Sequence, residues 1–286
     1  MNRLLGDDGP EPTLIAVSSA PAYGRVRTQP EGIEAMTKGT YRSKLLLLAT
    51  AALFAGIAAL VALAAARSDG SAGTKAGGKP VKLDEATMII EVNSTDGDAG
   101  FQVFLDGEPW SDMTVTDPDG KTIADVDAKG NVNKFGLTEL FSESHEPEFS
   151  DLPLNKFKKR FPAGKYKFSG TTTEGRPLKG SARFSHDTPA GPDITSPAAD
   201  ATVPDSDLVL NWGPGSQPSG IELSGYRVIV EREDPLRVFN AEVPASVTSM
   251  RVPAEYLEPN TPYKFELQAI EKSGNQTISE IEFRTS

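Results

Sequence analysis

The chain has 286 residues with 26 glycines, 22 prolines and no cysteine. The missing thiols exclude disulfides, thiolate metal sites, iron–sulfur clusters, a cysteine nucleophile and a lipidated-cysteine anchor. The formal charge is −11, and residues 1–66 hold six basic and five acidic side chains, which leaves 23 and 35 for residues 67–286. So acidic a chain has no footprint for phosphate backbones, and nucleic acid is excluded as a partner.

Residues 1–43 are polar, rich in Gly, Pro and Ser, and without periodicity, which predicts disorder. Residues 45–66 then run for 22 residues without a charge. At ~1.5 Å per residue this helix would reach about 33 Å, enough to cross a hydrocarbon core of ~30 Å. Lys38, Arg42 and Lys44 flank its N-terminal side and only Arg67 stands close on the other. Positive-inside logic places residues 67–286 outside the cytoplasm. The segment 44–66 therefore reads as a signal peptide, with Ala62-Leu63-Ala64 or Ala64-Ala65-Ala66 as cleavage site, or as a single-pass anchor that holds the protein to the membrane through residues 45–66. Forty-four residues is long for an n-region. A start at Met36 gives a basic n-region of ordinary length, so residues 1–35 read as a misplaced start. Residues 67–81 form a Gly/Ser/Lys-rich linker.

A first domain is predicted over 82–187. Met88, Ile90 and Val92 alternate as in a half-buried strand. Asp96-Gly97-Asp98-Ala99-Gly100 interrupts the chain, and Phe101, Val103 and Leu105 alternate again. Asp106-Gly107 is read as the next turn, with Met113 and Val115 on a new strand. Asp117-Pro118-Asp119-Gly120 is a strong turn signal, and Ile123 and Val126 return. Leu137, Leu140 and Phe141 have helical spacing. Pro153, Leu154, Phe157 and Phe161 predict a second helix, with Gly164 as its stop. Tyr166 and Phe168 pair with Ala182 and Phe184 around Glu174-Gly175-Arg176-Pro177.

Pro189-Ala190-Gly191-Pro192 marks a boundary, and a second domain is predicted over 188–286. Leu208-Val209-Leu210-Asn211-Trp212 and Tyr226-Arg227-Val228-Ile229-Val230 read as core strands. In the stretch from Leu257 to Phe265, Leu257, Pro259, Thr261, Tyr263 and Phe265 recur at set spacings. Tyr263, Phe265, Leu267 and Ala269 share one strand face. Ser273-Gly274-Asn275 is a turn, and Ile281 and Phe283 supply a last strand. This order resembles a fibronectin type III module over about 190–286. Trp212 matches the inward tryptophan of its strand B, Tyr226 lies on its strand C, and Leu257 to Phe265 is similar to its E–F corner. The resemblance implies a tyrosine corner at Tyr263. The connection from Gly213 to Gly225 is long, which suits a binding loop or simple length tolerance. The expected fold is mainly β: two tandem β-sandwich domains, the second fibronectin type III or immunoglobulin-like, with a short helical insertion in the first and one hydrophobic export or transmembrane helix before them.

Chemistry is sparse. His145 and His186 lack metal-ligand spacing, and no nucleophile elbow or dinucleotide fingerprint occurs. Gly73 to Lys79 spells part of a phosphate loop, but Pro80 stands where Ser or Thr is needed. Asp96 and Asp98 look like the start of a calcium loop, but position 107 is Gly instead of the closing Glu. Asp117/Asp119 and Asp205/Asp207 read as turns. Phe157-Lys158-Lys159-Arg160-Phe161 reads as an amphipathic helix, and Trp110 as core or, less simply, as a platform for glycan stacking. No catalytic, cofactor or metal site is expected. The expectation is an extracytoplasmic, non-catalytic binding or structural module whose partner is a protein or glycan at the cell envelope, membrane-anchored or released after cleavage. The rival readings are a carbohydrate hydrolase using carboxylates of the first domain and an envelope assembly factor.

Overall fold

The computed structural model describes residues 78–286. The readings placed on 1–43, on 44–66 and on the phosphate-loop letters up to residue 77 lie outside the described residues. Among the described residues no helix is long and apolar enough to cross a membrane.

Fifteen strands and two short helices succeed one another in chain order: β1 (Val81–Lys82), β2 (Glu85–Asn93), β3 (Asp98–Thr116), β4 (Thr122–Asp127), α1 (Gly130–Phe135), β5 (Leu137–Glu143), α2 (Leu154–Arg160), β6 (Gly164–Thr172), β7 (Pro177–Phe184), β8 (Asp193–Ser196), β9 (Thr202–Val203), β10 (Val209–Gly213), β11 (Leu223–Arg232), β12 (Arg237–Pro244), β13 (Ser249–Arg251), β14 (Pro262–Glu271) and β15 (Gln276–Thr285). They enclose two apolar cores. One gathers residues between Met88 and Phe184, the other residues between Leu208 and Phe283.

The N-terminal core is organised by β3, which runs on where a turn was expected. Asp106-Gly107 does not reverse the chain. Instead the pairing shifts register between Asp106 and Trp110, and β3 changes partners. Residues 98–106 pair with β2, and residues 102–110 with β5. Residues 110–116 pair with β6 and 112–116 with β4. Pro109 interrupts the ladder, and the unpaired residues at such a shift bend the strand. Trp110 sits at the bend with no exposed surface, so it is core and no platform for sugars.

The segment around Leu137 is a strand, not a helix. Leu140 lies opposite Leu105 and Phe141 opposite Phe104 in the β3–β5 ladder. Adjacent residues thus point to opposite faces, and the spacing that suggested a helix is a coincidence of the two periods. The helix forms just before, at α1. α2 lies where expected, with Pro153 as its N-cap and Phe157 buried. It ends at Phe161, and Gly164 opens β6 instead of closing the helix. β1 begins at Val81, the last residue read as linker.

The C-terminal core lies between the three strands β13-β10-β8 and the four strands β12-β11-β14-β15. Leu210 and Trp212 of β10 face Tyr226, Val228 and Val230 of β11, and the Trp212 and Tyr226 rings meet edge to face at 5.7 Å. Tyr263, Phe265, Leu267 and Ala269 all point into this core. The Glu258 N–H donates to Tyr263 Oη at 2.8 Å, and the Tyr263 ring stacks on Phe283 at 5.6 Å. Leu257 is buried beside them. The Thr261 hydroxyl donates to the Pro259 carbonyl at 2.9 Å. Tyr263→Phe should cost about 1 kcal/mol in urea denaturation, since the corner loses one net hydrogen bond while the ring stays packed. An unchanged midpoint would mean that water replaces the hydroxyl without loss.

The two cores are not joined by linker alone. β2 pairs with β15 in parallel, Gln276 opposite Glu91, Thr277 opposite Val92 and Ile278 opposite Asn93. One sheet therefore runs from β7 through β3, β2 and β15 to β12.

Candidate functional site

The β2–β15 contact explains an oddity of β2. Its alternating apolar face is buried as expected, but so is the opposite face, with Ile89, Glu91 and Asn93 all inside. Just before β15 begins, Asn275 takes over its role. Asn275 Oδ1 accepts the Ile90 N–H at 2.9 Å, a job a backbone carbonyl would do in a longer strand. Asn275 Nδ2 donates to Ser185 Oγ at 2.7 Å and to the Asp187 carbonyl at 2.8 Å. One buried amide thus fastens the strand edge, the end of β7 and the connecting segment.

Other polar contacts extend the seam. Ser94 Oγ meets Ser279 Oγ at 3.0 Å, and the Glu280 N–H donates to Thr95 Oγ1 at 3.0 Å. Thr277 Oγ1 donates to the Pro189 carbonyl at 2.7 Å. Gly191 lies so close that a Cβ there would fall 2.3 Å from Ser94 Oγ. The long connection after β10 is folded onto the same segment. Gln217 Oε1 accepts the Ala190 N–H at 3.0 Å. Gly215 takes φ +68 with its Cβ position 2.3 Å from the Gly191 carbonyl oxygen, so a side chain is barred by conformation and by space.

Across the seam runs a polar stripe on one face of the shared sheet. Arg227 donates to Gln268 Oε1 at 2.9 Å, and Gln268 donates to Glu266 at 2.6 Å. Gln276 donates to Glu91 Oε2. Gln102 Nε2 donates to both Glu91 Oε2, at 3.0 Å, and Glu143 Oε1, at 2.9 Å. One carboxylate oxygen from each of Glu91, Glu143 and Glu146 lies within 4.8 Å of the others. Glu91 is 1% exposed and Gln102 2%. Yet Glu91 Oε1 and Gln102 Oε1 have no hydrogen-bond partner.

Like charges at this depth shift one another. Burial, then the Glu146 and Glu143 charges, pushes Glu91 well above the ordinary carboxylate range. Burial and Glu143 push Glu146 up to about 8. Glu143 is raised by burial, and Asp98 rises to about 6 through burial and Asp96. Lys264 lies 3.8 Å from Glu266 and 3.6 Å from Glu280.

Further along the same sheet Glu231 is buried, which pushes it up to about 7 against the opposing pull of Lys264. A carboxylate whose folded pKa lies above its unfolded value contributes stability below about pH 4.5 that fades as pH rises to about 7. Glu231→Gln should therefore flatten part of the fall in unfolding midpoint between those limits. Parallel profiles for variant and wild type would show that Glu231 is already solvated.

The residues singled out from sequence fall elsewhere. His145 is exposed, and His186 holds the Phe161 carbonyl with Nε2 at 2.8 Å. Asp117 accepts the N–H groups of Asp119 and Lys121, so it shapes a turn. Asp207 pairs with Arg251. Lys158 donates to the His186 carbonyl at 2.9 Å, and Phe157 is core. Asp96 accepts from Asn93 Nδ2 at 3.3 Å in a local turn. Glu91, Glu143 and Glu146 escape sequence reasoning because no local motif links a strand residue to acids more than fifty positions on. An acid amid the apolar residues of β2 is the one available hint.

The family model described as fibronectin type III domain matches residues 195–284. No curated protein matches the chain. Similar solved structures include an engineered protein, at 15% identity and a TM-score of 0.27, over 37% of this chain and 21% of that one. A two-domain fibronectin type III segment of chicken tenascin is similar at 10% identity and TM-score 0.27, over 71% of this chain and 99% of that one. The FN1–FN3 domains of chicken CNTN1 are similar at 16% and 0.27, over 74% and 68%. This chain thus spans about a fifth of the engineered structure's length. The matched segment coincides with the strands that enclose the Trp212–Tyr263 core, and the protein contains a fibronectin type III domain.

Proposed function

We infer that the protein is a non-catalytic binding or structural module in which two β-sandwich domains, about 82–187 and 188–286, act as one stiff body outside the cytoplasm. The β2–β15 ladder carries this reading, because shared strand pairing removes the free hinge that a linker alone would leave. The uncharged run over 45–66 supports export or anchoring. A protein or glycan at the cell envelope is the expected partner. The hydrolase reading loses ground on geometry. Glycosidase acids flank a substrate cleft, whereas Glu91 is buried and none of the three clustered acids lines either of two surface grooves, one beside Tyr226 and one beside Lys264.

The full chain fixed to a sensor surface should take up an envelope protein or a glycan saturably. Changing the loop 214–222, or the groove between Ile89 and Val243, should abolish that uptake. No binding to either class, together with glycan hydrolysis lost in Glu146→Gln, would overturn the reading.

A further inference from the structure

We propose that Glu91, Glu143 and Glu146 bind a divalent cation, preferentially Ca2+, which clamps the segment after β5 onto the seam between the two cores. The proposal stands whatever the partner is, since it rests on the carboxylates and amides alone.

The donor set is three carboxylates from three separate segments: the C-terminal part of β2, the last residue of β5 and the connection after it. Hard oxygen donors of this kind select Ca2+, Mg2+ or Mn2+ over softer metals. One oxygen from each lies within 4.8 Å of the other two, close enough for a single cation to reach all three. Mg2+ needs a near-regular octahedron at about 2.1 Å. Gln276 holds Glu91 Oε2, which limits the freedom of Glu91 to build one.

Two buried atoms point independently to a missing positive partner. Glu91 Oε1 meets no donor. Gln102, a neutral side chain placed between Glu91 and Glu143, leaves its own carbonyl oxygen without a partner. A buried polar atom without a partner costs about 1–3 kcal/mol, and more when charged. A cation satisfies both at once. It takes Glu91 Oε1 directly, and a half-turn of the Gln102 amide brings a fourth, neutral oxygen to where the nitrogen now lies. Glu143 and Glu146 are only half-buried, which leaves an open side for water ligands.

Charge points the same way. Asp98, Asp96 and Glu266 add their fields to Glu146. Lys264 is already engaged by Glu266 and Glu280. Without a cation, only protons can neutralise the group, and the upward pKa shifts describe that alternative state. Proton sharing and cation binding therefore compete for the same oxygens, and experiment separates them.

The full chain, stripped with chelator, is titrated with CaCl2 in a calorimeter, and its thermal unfolding is monitored in Ca2+, Mg2+ or chelator at pH 7.5. The expected result is one saturable site in the range of about 10⁻⁴–10⁻³ M or tighter, typical of extracellular modules. The unfolding midpoint should rise with Ca2+, and Mg2+ should need at least about tenfold higher concentration for the same rise. Glu143→Gln and Glu146→Gln should bind at least about tenfold more weakly. Both should unfold in chelator at or above the wild-type midpoint, which shows that they fold. A midpoint that rises as pH falls but ignores Ca2+ up to about 10 mM would overturn the proposal and assign the cluster to shared protons. Ca2+ binding that is equal in wild type and both variants would overturn it as well.

Discussion

Asn275→Ala should lower the stability of the protein by about 3 kcal/mol and split a single unfolding transition into two. The side chain is 1% exposed and serves three partners. Truncation leaves the Ile90 N–H and the Asp187 carbonyl without their partner, and each such buried group costs about 1–3 kcal/mol. The loss falls on the seam instead of on either core, so each half keeps its own apolar interior while the coupling between them weakens. Urea denaturation read by tryptophan fluorescence distinguishes the two halves, since Trp110 lies in one core and Trp212 in the other. Hydrogen exchange at the Ile90 amide should speed up with the first transition. A variant that still unfolds in one step at the wild-type midpoint would show that the three-pair ladder and the remaining seam contacts couple the cores without Asn275.

Trp110→Ala should be the more damaging change, at about 3–5 kcal/mol, the usual range for removing a large buried aromatic. The ring fills the bend where β3 passes from its β2 and β5 partners to β6 and β4. Neighbours anchored in four different strands cannot all collapse into the gap. The indole N–H has no hydrogen-bond partner, so Trp110→Phe removes volume without orphaning an acceptor and should cost less than half as much. Thermal unfolding of the pair checks this. Equal losses would mean that the indole nitrogen is bonded after all.

What could be read from the sequence was local. Asp117-Pro118-Asp119-Gly120 closes a turn through the Gly120 N–H and the Asp117 carbonyl, 3.1 Å apart. Tyr263, Phe265 and Leu267 declare their inward face by alternation, and the E–F corner declares itself by the spacing from Leu257 to Tyr263. The errors came where partners are remote. Asp106-Gly107 has turn chemistry but lies in a strand whose flanks are held by β2 and β5, so tertiary pairing overrides it. Leu137, Leu140 and Phe141 satisfy two periodicities over five residues, and only the ladder with β3 decides between them. The acidic cluster was illegible for the same reason. Glu91 meets Gln276 across 185 positions, and Glu143 meets Gln102 across 41.

The place of β15 in the chain also governs how the protein is made. It follows every other described strand, yet it supplies the partner for β2, among the first of them. As the nascent polypeptide leaves the ribosome, part of the outer edge of β2 and the whole flank of β14 stay open until residues 276–285 emerge. Open edges template association with other chains. Synthesis therefore passes through an interval in which most of both cores has emerged while the molecule is sticky on two sides. A message cut short before Gln276 would leave its product in that state permanently, prone to clump although most of both cores is already present.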